Sequence, residues 1–306
     1  MSVIIGGGVA PHLVYHTILQ GDNLDSRPRF PYRFCMTPRV WDVFGWCRLA
    51  LRAVLPADCV SCAQPLGIDP HAYLCGACWD AIRPISGSRC AQCDHPFVSA
   101  IADSWSPAHR CQPCLERPPA YDRAWTLFPY MPPLQDAICA LKYRNIYGLA
   151  APLAASMIRA LPKGLDADVL APVPLHPSRL RTREFNQSLL IADRLGRYMT
   201  RPVSSTDLLR VTATEPQTAL TRSKRLLNLR RAFVVRNPEA FAGRRVLLID
   251  DVYTTGTTLN ECAKALKTAG AASVSALTLA RTIDSSLVPD RILATQAART
   301  LSSVGS

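Results

Sequence analysis

The sequence has no apolar run that approaches the roughly 18 residues a helix needs to span a bilayer. Its first 20 residues carry no lysine or arginine ahead of their apolar side chains, so they do not predict a secretory signal peptide. We therefore expect a cytoplasmic protein without a membrane span. Met36 stands just upstream of the first convincing helical pattern and is a second candidate for the start of the chain.

Aromatic side chains are also scarce, at 7% of the residues. Aromatic rings stack on the bases of single-stranded nucleic acid, and Phe185 and Tyr143 are among the few that adjoin basic residues. Any binding of nucleic acid is therefore expected to show weak sequence preference.

Positive charge, in contrast, is plentiful and concentrated. The net charge is +12, and residues 176–231 supply +8 of it, with 12 Lys or Arg against 4 Asp or Glu. This basic segment predicts an anionic partner, either a polyphosphate or nucleic acid. The candidate contacts to nucleic acid are Arg179, Arg181, Arg183, Arg222, Lys224 and Arg225.

Eight of the twelve cysteines form four Cys-x-x-Cys pairs. Each such turn can present two thiolates to one metal, and two turns complete a tetrahedral Cys₄ zinc site. In a cytosolic protein this pattern favours metal over disulfides, and a redox dithiol explains any single pair but not all four. We predict two structural zinc ions, paired either sequentially or in an interleaved way. The predicted ligands are Cys59, Cys62, Cys75, Cys78, Cys90, Cys93, Cys111 and Cys114.

A short buried strand is predicted over residues 246–249, because it is an unbroken apolar run. The carboxylates of Asp250 and Asp251 follow, then a Thr/Gly turn, and then an amphipathic helix. Ligands of open α/β sheets bind at the carboxyl ends of strands. The two carboxylates would repel a phosphate, but they could accept hydrogen bonds from sugar hydroxyls or hold a hydrated Mg²⁺. They are the candidate catalytic residues.

The turn itself predicts a phosphate cradle at a helix N-terminus. It lacks the Gly-Lys-Ser/Thr of the Walker loop and the Gly-x-Gly-x-x-Gly of dinucleotide sites. A phosphate cradle beside carboxylates for a sugar predicts a ribose 5-phosphate ligand. The cradle consists of Thr254, Thr255, Gly256, Thr257 and Thr258. Lys142, His176, Arg179 and Arg183 are the candidate contacts to a second phosphate group such as pyrophosphate.

The strand, acidic pair, loop and helix closely resemble the phosphoribosyl pyrophosphate signature of type I phosphoribosyltransferases. Three further motifs occur in one order with it: the four cysteine pairs, Pro-Val-Pro-Leu-His-Pro at residues 172–177, and Arg-x-Arg-x-Phe-Asn-Gln at residues 181–187. Together they resemble the ComF family of competence-associated, phosphoribosyltransferase-like proteins over about residues 59–281.

The resemblance implies an α/β fold, with a type I phosphoribosyltransferase-like parallel sheet of about five strands between helices. A small N-terminal double zinc ribbon is expected to precede it. We assign residues 1–40 to a poorly ordered extension, 41–118 to a helix plus the double ribbon, 119–283 to the phosphoribosyltransferase-like domain and 284–306 to a polar tail.

For function, the resemblance implies binding of phosphoribosyl pyrophosphate with Mg²⁺ and a role in natural competence, where incoming single-stranded DNA is handled. Transfer of the pentosyl group to an acceptor is one possibility, and no stretch of sequence identifies that acceptor. Two alternatives stay open. The fold could serve as a catalytically inactive nucleic-acid-binding module, or as a zinc-dependent scaffold for a helicase or DNA-uptake partner.

Overall fold

A computed structural model describes residues 58–66, 73–97, 106–176, 180, 185–211 and 232–283. The predicted N-terminal extension, the predicted helix that begins near residue 41, and the C-terminal tail lie outside these residues. The choice between Met1 and Met36 as the start also falls outside them.

Six α-helices lie in the described residues. Two are single turns inside the cysteine-rich part, and four belong to the larger domain. Apolar periodicity in the sequence predicts three of these four, over residues 134–141, 149–161 and 189–198, and the fourth after the Thr/Gly turn. The structure has all four with closely similar bounds. The six helices are α1 (Gly76–Ala81), α2 (Gln112–Glu116), α3 (Leu134–Tyr143), α4 (Ala150–Arg159), α5 (Gln187–Met199) and α6 (Thr257–Thr268).

Four strands form one fully parallel sheet in the spatial order β1-β6-β5-β2. Helices connect them, as parallel strands require. The predicted phosphoribosyltransferase-like parallel sheet is thus confirmed. The strands are β1 (Arg123–Pro129), β2 (Val169–Pro172), β5 (Arg245–Tyr253) and β6 (Ser273–Arg281).

The resemblance implied about five strands, and the described sheet has four. Where a fifth strand would pair with β2, the structure has only a single parallel bridge between Leu170 and Val203, flanked by two backbone hydrogen bonds of 2.9 Å. A separate antiparallel pair, β3 (Leu208–Arg210) and β4 (Phe233–Val235), has no counterpart in the sequence predictions. Each strand has only three residues and the two are far apart in the chain, so no hairpin signal marks them.

The central strand β5 is longer than predicted. The expected strand ended at residue 249, before the acidic pair, whereas β5 continues to Tyr253 and contains both carboxylates. The reason is parallel pairing with β6, which persists through Asp250 opposite Thr278 and Tyr253 opposite Arg281. Asp250 and Asp251 therefore lie on a rigid strand at its carboxyl end.

One face of the sheet carries the first cysteine segment. Leu247 and Ile249 of β5 pack there with helices α3, α4 and α5. The same buried cluster includes Cys59, Leu74 and Cys78. This part of the ribbon is therefore continuous with the core of the larger domain.

The opposite face of the sheet carries the second cysteine segment. Val246 and Leu248, which alternate with the residues of the first face, pack there with helix α6. All four cysteines from Cys90 to Cys114 belong to this second cluster. Each half of the double ribbon thus rests on its own face of the sheet.

The second cysteine segment is also bonded to the edge strand β1. Asp94 is 5% exposed, and its Oδ2 accepts hydrogen bonds from the backbone N–H of Thr126 at 2.7 Å and from Arg89 at 3.0 Å. The backbone N–H of Ala124 donates to the carbonyl of Gln92 at 2.8 Å. An edge strand exposes unpaired backbone groups, and here the ribbon satisfies the N–H groups of Ala124 and Thr126.

Candidate active site and metal centres

Asp251 forms an ion pair with Lys142. The Lys142 Nζ lies 2.8 Å from Asp251 Oδ1, and the two side chains are 15% and 11% exposed. Lys142 comes from the last turn of α3, so the pair joins that helix to the carboxyl end of β5. Lys142, predicted as a phosphate contact, is therefore placed beside the acidic pair.

Asp250 has different partners, since adjacent side chains diverge along a strand. Its Oδ1 accepts hydrogen bonds from Ser188 Oγ at 3.0 Å and from the backbone N–H of Asp251 at 2.9 Å. Burial, reinforced by the neighbouring Asp251 carboxylate, raises the pKa of Asp250 to about 7, although Lys142 and these hydrogen bonds act in the opposite direction. Near neutral pH this carboxyl is poised between its protonated and ionised forms, a state typical of functional sites.

The Thr/Gly turn begins helix α6 sooner than predicted. Thr257 and Thr258 are the first residues of the helix, and Gly256 is its N-cap. The first-turn backbone N–H groups of a helix have no intrahelical acceptor, so this end of α6 suits an anion. Thr254 and Thr255 are exposed in front of it, and Thr255 Oγ1 lies 2.8 Å from Thr257 Oγ1. The four threonines and the buried Gly256 therefore form one compact turn at the helix start.

Gly256 is required at its position for two reasons. Its φ is +73°, in the left-handed region that disfavours residues with a Cβ. A Cβ built on it would also come within 2.2 Å of Tyr253 Oη. The turn is thus packed directly against the last residue of β5.

Asn186 organises the opposite wall of the site. As the N-cap of α5, its Oδ1 accepts a hydrogen bond from the backbone N–H of Ser188 at 3.0 Å, and its Nδ2 donates to the carbonyl of Val173 at 3.0 Å. These contacts join the end of β2 to the start of α5 and place Ser188 against Asp250. Ser188 is not among the site residues predicted from the sequence, and Asn186 had no predicted role, although an asparagine just before an apolar helical pattern is an N-cap signal.

The remaining predicted anion contacts are only partly described. His176 lies four residues after β2, half-buried at the carboxyl edge of the sheet, and its carbonyl accepts a hydrogen bond from the Leu180 N–H at 3.0 Å. The other basic residues predicted to bind phosphate or nucleic acid lie outside the described residues. They are Arg179, Arg181, Arg183, Arg222, Lys224 and Arg225.

The eight ribbon cysteines form two groups, and the structure brings the pairs together sequentially. In each group the four Sγ atoms lie within 4.8 Å of one another. The interleaved alternative is therefore wrong. The first group is Cys59, Cys62, Cys75 and Cys78, and the second is Cys90, Cys93, Cys111 and Cys114.

Both groups fit a zinc ion. Cys62 and Cys75 have their Sγ atoms 3.6 Å apart, and Cys93 and Cys111 have theirs 3.5 Å apart. Four thiolates at the usual Zn–S distance around a tetrahedral ion lie about 3.8 Å apart. Backbone N–H groups of Cys93 and Cys111 point at Cys90 Sγ, at 3.5 and 3.3 Å, as they do in sites that stabilise thiolates. The two clusters support structural zinc.

The described part of the chain contains no helix that is both long and apolar enough to cross a bilayer.

Known proteins resemble the chain in both of its parts. Residues 186–295 match the phosphoribosyl transferase domain family, and residues 50–115 match the double zinc ribbon domain family. The DNA utilization protein YhgH of Salmonella typhimurium is 33% identical over 235 residues, which cover 75% of this chain and 99% of that protein.

Two further relatives carry competence names. Competence protein F of Haemophilus influenzae is 30% identical over 73% of this chain and 96% of its own length. Competence protein ComFC of Bacillus subtilis is 30% identical over 70% of this chain and 86% of its own length. The chain therefore belongs to the ComF family of phosphoribosyltransferase-like competence proteins, with an N-terminal double zinc ribbon.

Proposed function

We propose that the chain binds phosphoribosyl pyrophosphate together with Mg²⁺ at the carboxyl end of β5. One observation carries the proposal: a strand that bears two carboxylates near its carboxyl end leads, through a short turn and a glycine with a φ of +73°, into a helix N-terminus. The helix start suits the 5-phosphate. The carboxylates suit the ribose hydroxyls, which donate hydrogen bonds to them.

The pyrophosphate would lie toward Lys142. Within the described residues this side chain forms one ion pair, with Asp251, and it comes from the last turn of helix α3. Carboxylate oxygens are the hard ligands that a hydrated Mg²⁺ prefers, so the acidic pair also fits that ion. When bound, Mg²⁺ supplies positive charge to the pyrophosphate as a leaving group. His176, Arg179 and Arg183 are proposed as further contacts to the same group.

In the proposed reaction, an acceptor nucleophile forms a bond to C1 of the ribose while the bond from C1 to the pyrophosphate oxygen breaks. The protein contributes by orientation and by electrostatics. Asp250 and Asp251 fix the ribose between two helices, and Lys142 neutralises charge that develops on the leaving group. A protein that binds the ligand without turnover is the alternative, and release of pyrophosphate in the presence of acceptors distinguishes the two.

Isothermal titration calorimetry tests the binding directly. The zinc-loaded full chain is titrated with phosphoribosyl pyrophosphate, with and without Mg²⁺, and then with ribose 5-phosphate and with pyrophosphate. We expect the complete ligand with Mg²⁺ to bind more tightly than either fragment, because it engages the helix start and Lys142 together. Equal affinity for pyrophosphate and for the complete ligand would contradict the proposal, since it would reduce the site to a patch of positive charge.

A second candidate function is binding of single-stranded DNA by the basic segment of residues 176–231. Its net charge of +8 and the competence names of two relatives favour it. Contacts to a phosphate backbone release counterions, so affinity should fall steeply with salt. Fluorescence anisotropy with a labelled oligonucleotide tests it: Arg179→Ala, Arg183→Ala and Arg225→Ala together should reduce affinity. Unchanged affinity would show that these three arginines do not contact DNA and would contradict this location for the binding surface.

The double ribbon is a third candidate surface, for a helicase or a DNA-uptake protein. The cysteine clusters that hold it together are part of the described core. Cytoplasm is the compartment we propose, because thiolate zinc sites suit a reducing environment.

A further inference from the structure

Arg281 is a buried cation beside the second zinc cluster. It ends strand β6 and is 6% exposed. Its Nη1 donates a hydrogen bond to the carbonyl of Cys93 at 2.6 Å, and its Nη2 lies 3.4 Å from His95 Nδ1. Arg281 is thus attached to the knuckle that presents one of the cluster's ligands.

No carboxylate in the described residues forms an ion pair with Arg281. A buried charge is costly unless an opposite charge compensates it. Four cysteine thiolates around one Zn²⁺ carry a net charge of −2, and the closest approach of Arg281 to a polar group is to the backbone of one of those cysteines. The buried carboxylate of Asp94 also acts electrostatically on Arg281, but it is already paired with Arg89 at 3.0 Å. The second zinc cluster is therefore the principal counter-ion of Arg281.

The guanidinium of Arg281 also stacks on the ring of Tyr253. The Arg281 Cζ is 4.2 Å from the centroid of the Tyr253 ring, within the range of a cation–π contact. The ring is fixed at its far end as well, since Tyr253 Oη is hydrogen-bonded to Tyr121 Oη at 2.8 Å. Tyr253 Oη in turn packs against Gly256, where an added Cβ would lie 2.2 Å away.

We propose that Arg281 is a positioning residue through which the second zinc cluster shapes the Thr/Gly turn. The path is continuous: cluster, Arg281, the Tyr253 ring, and the backbone of Gly256. Loss of zinc from this cluster removes the counter-ion of Arg281, releases the ring and loosens the start of α6. The consequence for ligand affinity rests on the proposed function, whereas the effect on the turn itself does not.

The first zinc cluster is a built-in control. It belongs to the core on the opposite face of the sheet, which includes neither Tyr253 nor any residue of α6. Its zinc should matter for the stability of that face and leave the turn unchanged. If loss of zinc loosened the whole fold, loss from either cluster would affect the turn. An effect on the turn from the second cluster alone therefore indicates the specific path.

Hydrogen–deuterium exchange measured by mass spectrometry tests the path without any ligand. The zinc-loaded full chain is compared with Arg281→Gln, Arg281→Lys and Cys93→Ser, and with Cys62→Ser as the control from the first cluster. We expect Arg281→Gln and Cys93→Ser to raise the exchange rate of residues 254–258 about tenfold. Arg281→Lys, which keeps the charge, should recover part of the protection, and Cys62→Ser should leave this segment as in the native chain.

Two results would overturn the proposal. One is native exchange of residues 254–258 in Arg281→Gln, and the other is an equal increase in Cys62→Ser. If Cys93→Ser does not fold, Arg281→Gln decides, because it leaves all eight cysteines in place.

Calorimetry with phosphoribosyl pyrophosphate and Mg²⁺ then separates the two proposals. No binding to the native chain would remove the proposed function, while the exchange rates still decide the zinc path. The Arg281→Gln chain could show faster exchange in the turn and still bind the ligand with native affinity. That result would show that the path reaches the turn but does not position the ligand, and it would overturn that part of the inference.

Discussion

Lys142 and Asp251 form an ion pair of 2.8 Å across 109 positions of the chain, and this pair closes the space between helix α3 and the carboxyl end of β5. Both partners are largely buried, so neither is well solvated if the other is removed. The contact therefore serves the fold and also presents a cation beside the candidate catalytic carboxylates.

Removing the cation of this pair should cost stability. We expect Lys142→Ala to lower the free energy of unfolding by about 2 kcal/mol, because it leaves Asp251 buried without a partner. Lys267→Ala is the matched control: it breaks a pair with Asp122 in which both side chains are well exposed, and should cost less than about 1 kcal/mol. Urea unfolding measures both. Equal losses would mean that burial adds nothing to the Lys142 pair.

Gly256→Ala should damage the turn more than backbone strain alone explains. Gly243 has almost the same φ, +69° against +73°, but an added Cβ there would meet no atom within 4 Å. Gly243→Ala should therefore cost only the strain of a left-handed residue, about 1–2 kcal/mol. Gly256→Ala adds the collision with Tyr253 Oη, so it should cost more and also abolish binding of phosphoribosyl pyrophosphate.

Thermal unfolding and calorimetry on the two glycine variants decide this point. Binding that survives Gly256→Ala at native affinity would show that the turn does not approach the ligand. Equal stability losses in the two variants would show that Tyr253 moves aside freely.

Affinity for phosphoribosyl pyrophosphate should rise between pH 6 and pH 8. Hydrogen bonds from ribose hydroxyls and coordination of Mg²⁺ both favour the ionised carboxylate, and burial beside Asp251 raises the pKa of Asp250 to about 7. Ligand binding should accordingly release a proton near neutral pH. Calorimetry in buffers of different ionisation enthalpy measures that proton. A pH-independent affinity, with no proton released, would contradict this role for Asp250.

For the ligand-free protein, the same raised pKa of Asp250 predicts the opposite trend: stability, unlike ligand affinity, should fall as pH rises. A carboxyl with a raised pKa binds more protons in the folded than in the unfolded state, so its contribution to stability falls as pH rises from about 4 to about 7. Asp250→Asn should therefore gain stability relative to the native chain at pH 8 and not at pH 4. Guanidinium unfolding at the two pH values checks the sign.

Asn186 has two separable functions. Asn186→Ala should cost about 1–2 kcal/mol, because the helix α5 loses its N-cap. Asn186→Ser keeps an acceptor for the Ser188 N–H but loses the donor to the Val173 carbonyl, so it should restore most of the stability. If ligand affinity falls in both variants, the link from β2 to α5 matters for the site. Native affinity in Asn186→Ser would assign Asn186 to helix capping alone.

Local patterns sufficed for much of the fold. The apolar run of β5, the helical periods of α3, α4 and α5, and the spacing of the cysteine pairs all follow from short-range physics, and the structure confirms them. The extent of β5 did not follow, because the charges of Asp250 and Asp251 end the apolar pattern while pairing with β6 continues.

The contacts that shape the site are long-range, and single-sequence patterns do not contain them. Ser188 meets Asp250 across 62 positions, Tyr121 meets Tyr253 across 132, and Arg281 meets Cys93 across 188. No local sequence motif identifies the partner of any of these residues. Only the sheet order and the packing of each ribbon half on its own face bring them together.

The most direct test of the central claim compares two double variants that remove carboxylates at opposite ends of strand β5. Asp250→Asn with Asp251→Asn removes the carboxylates at the carboxyl end of β5. Asp166→Asn with Asp168→Asn removes two carboxylates that bind Arg245 at its amino end. Both change the charge equally. We predict that calorimetry with phosphoribosyl pyrophosphate and Mg²⁺ shows binding lost in the first and retained in the second. Undiminished affinity in a folded Asp250/Asp251 variant would contradict the account.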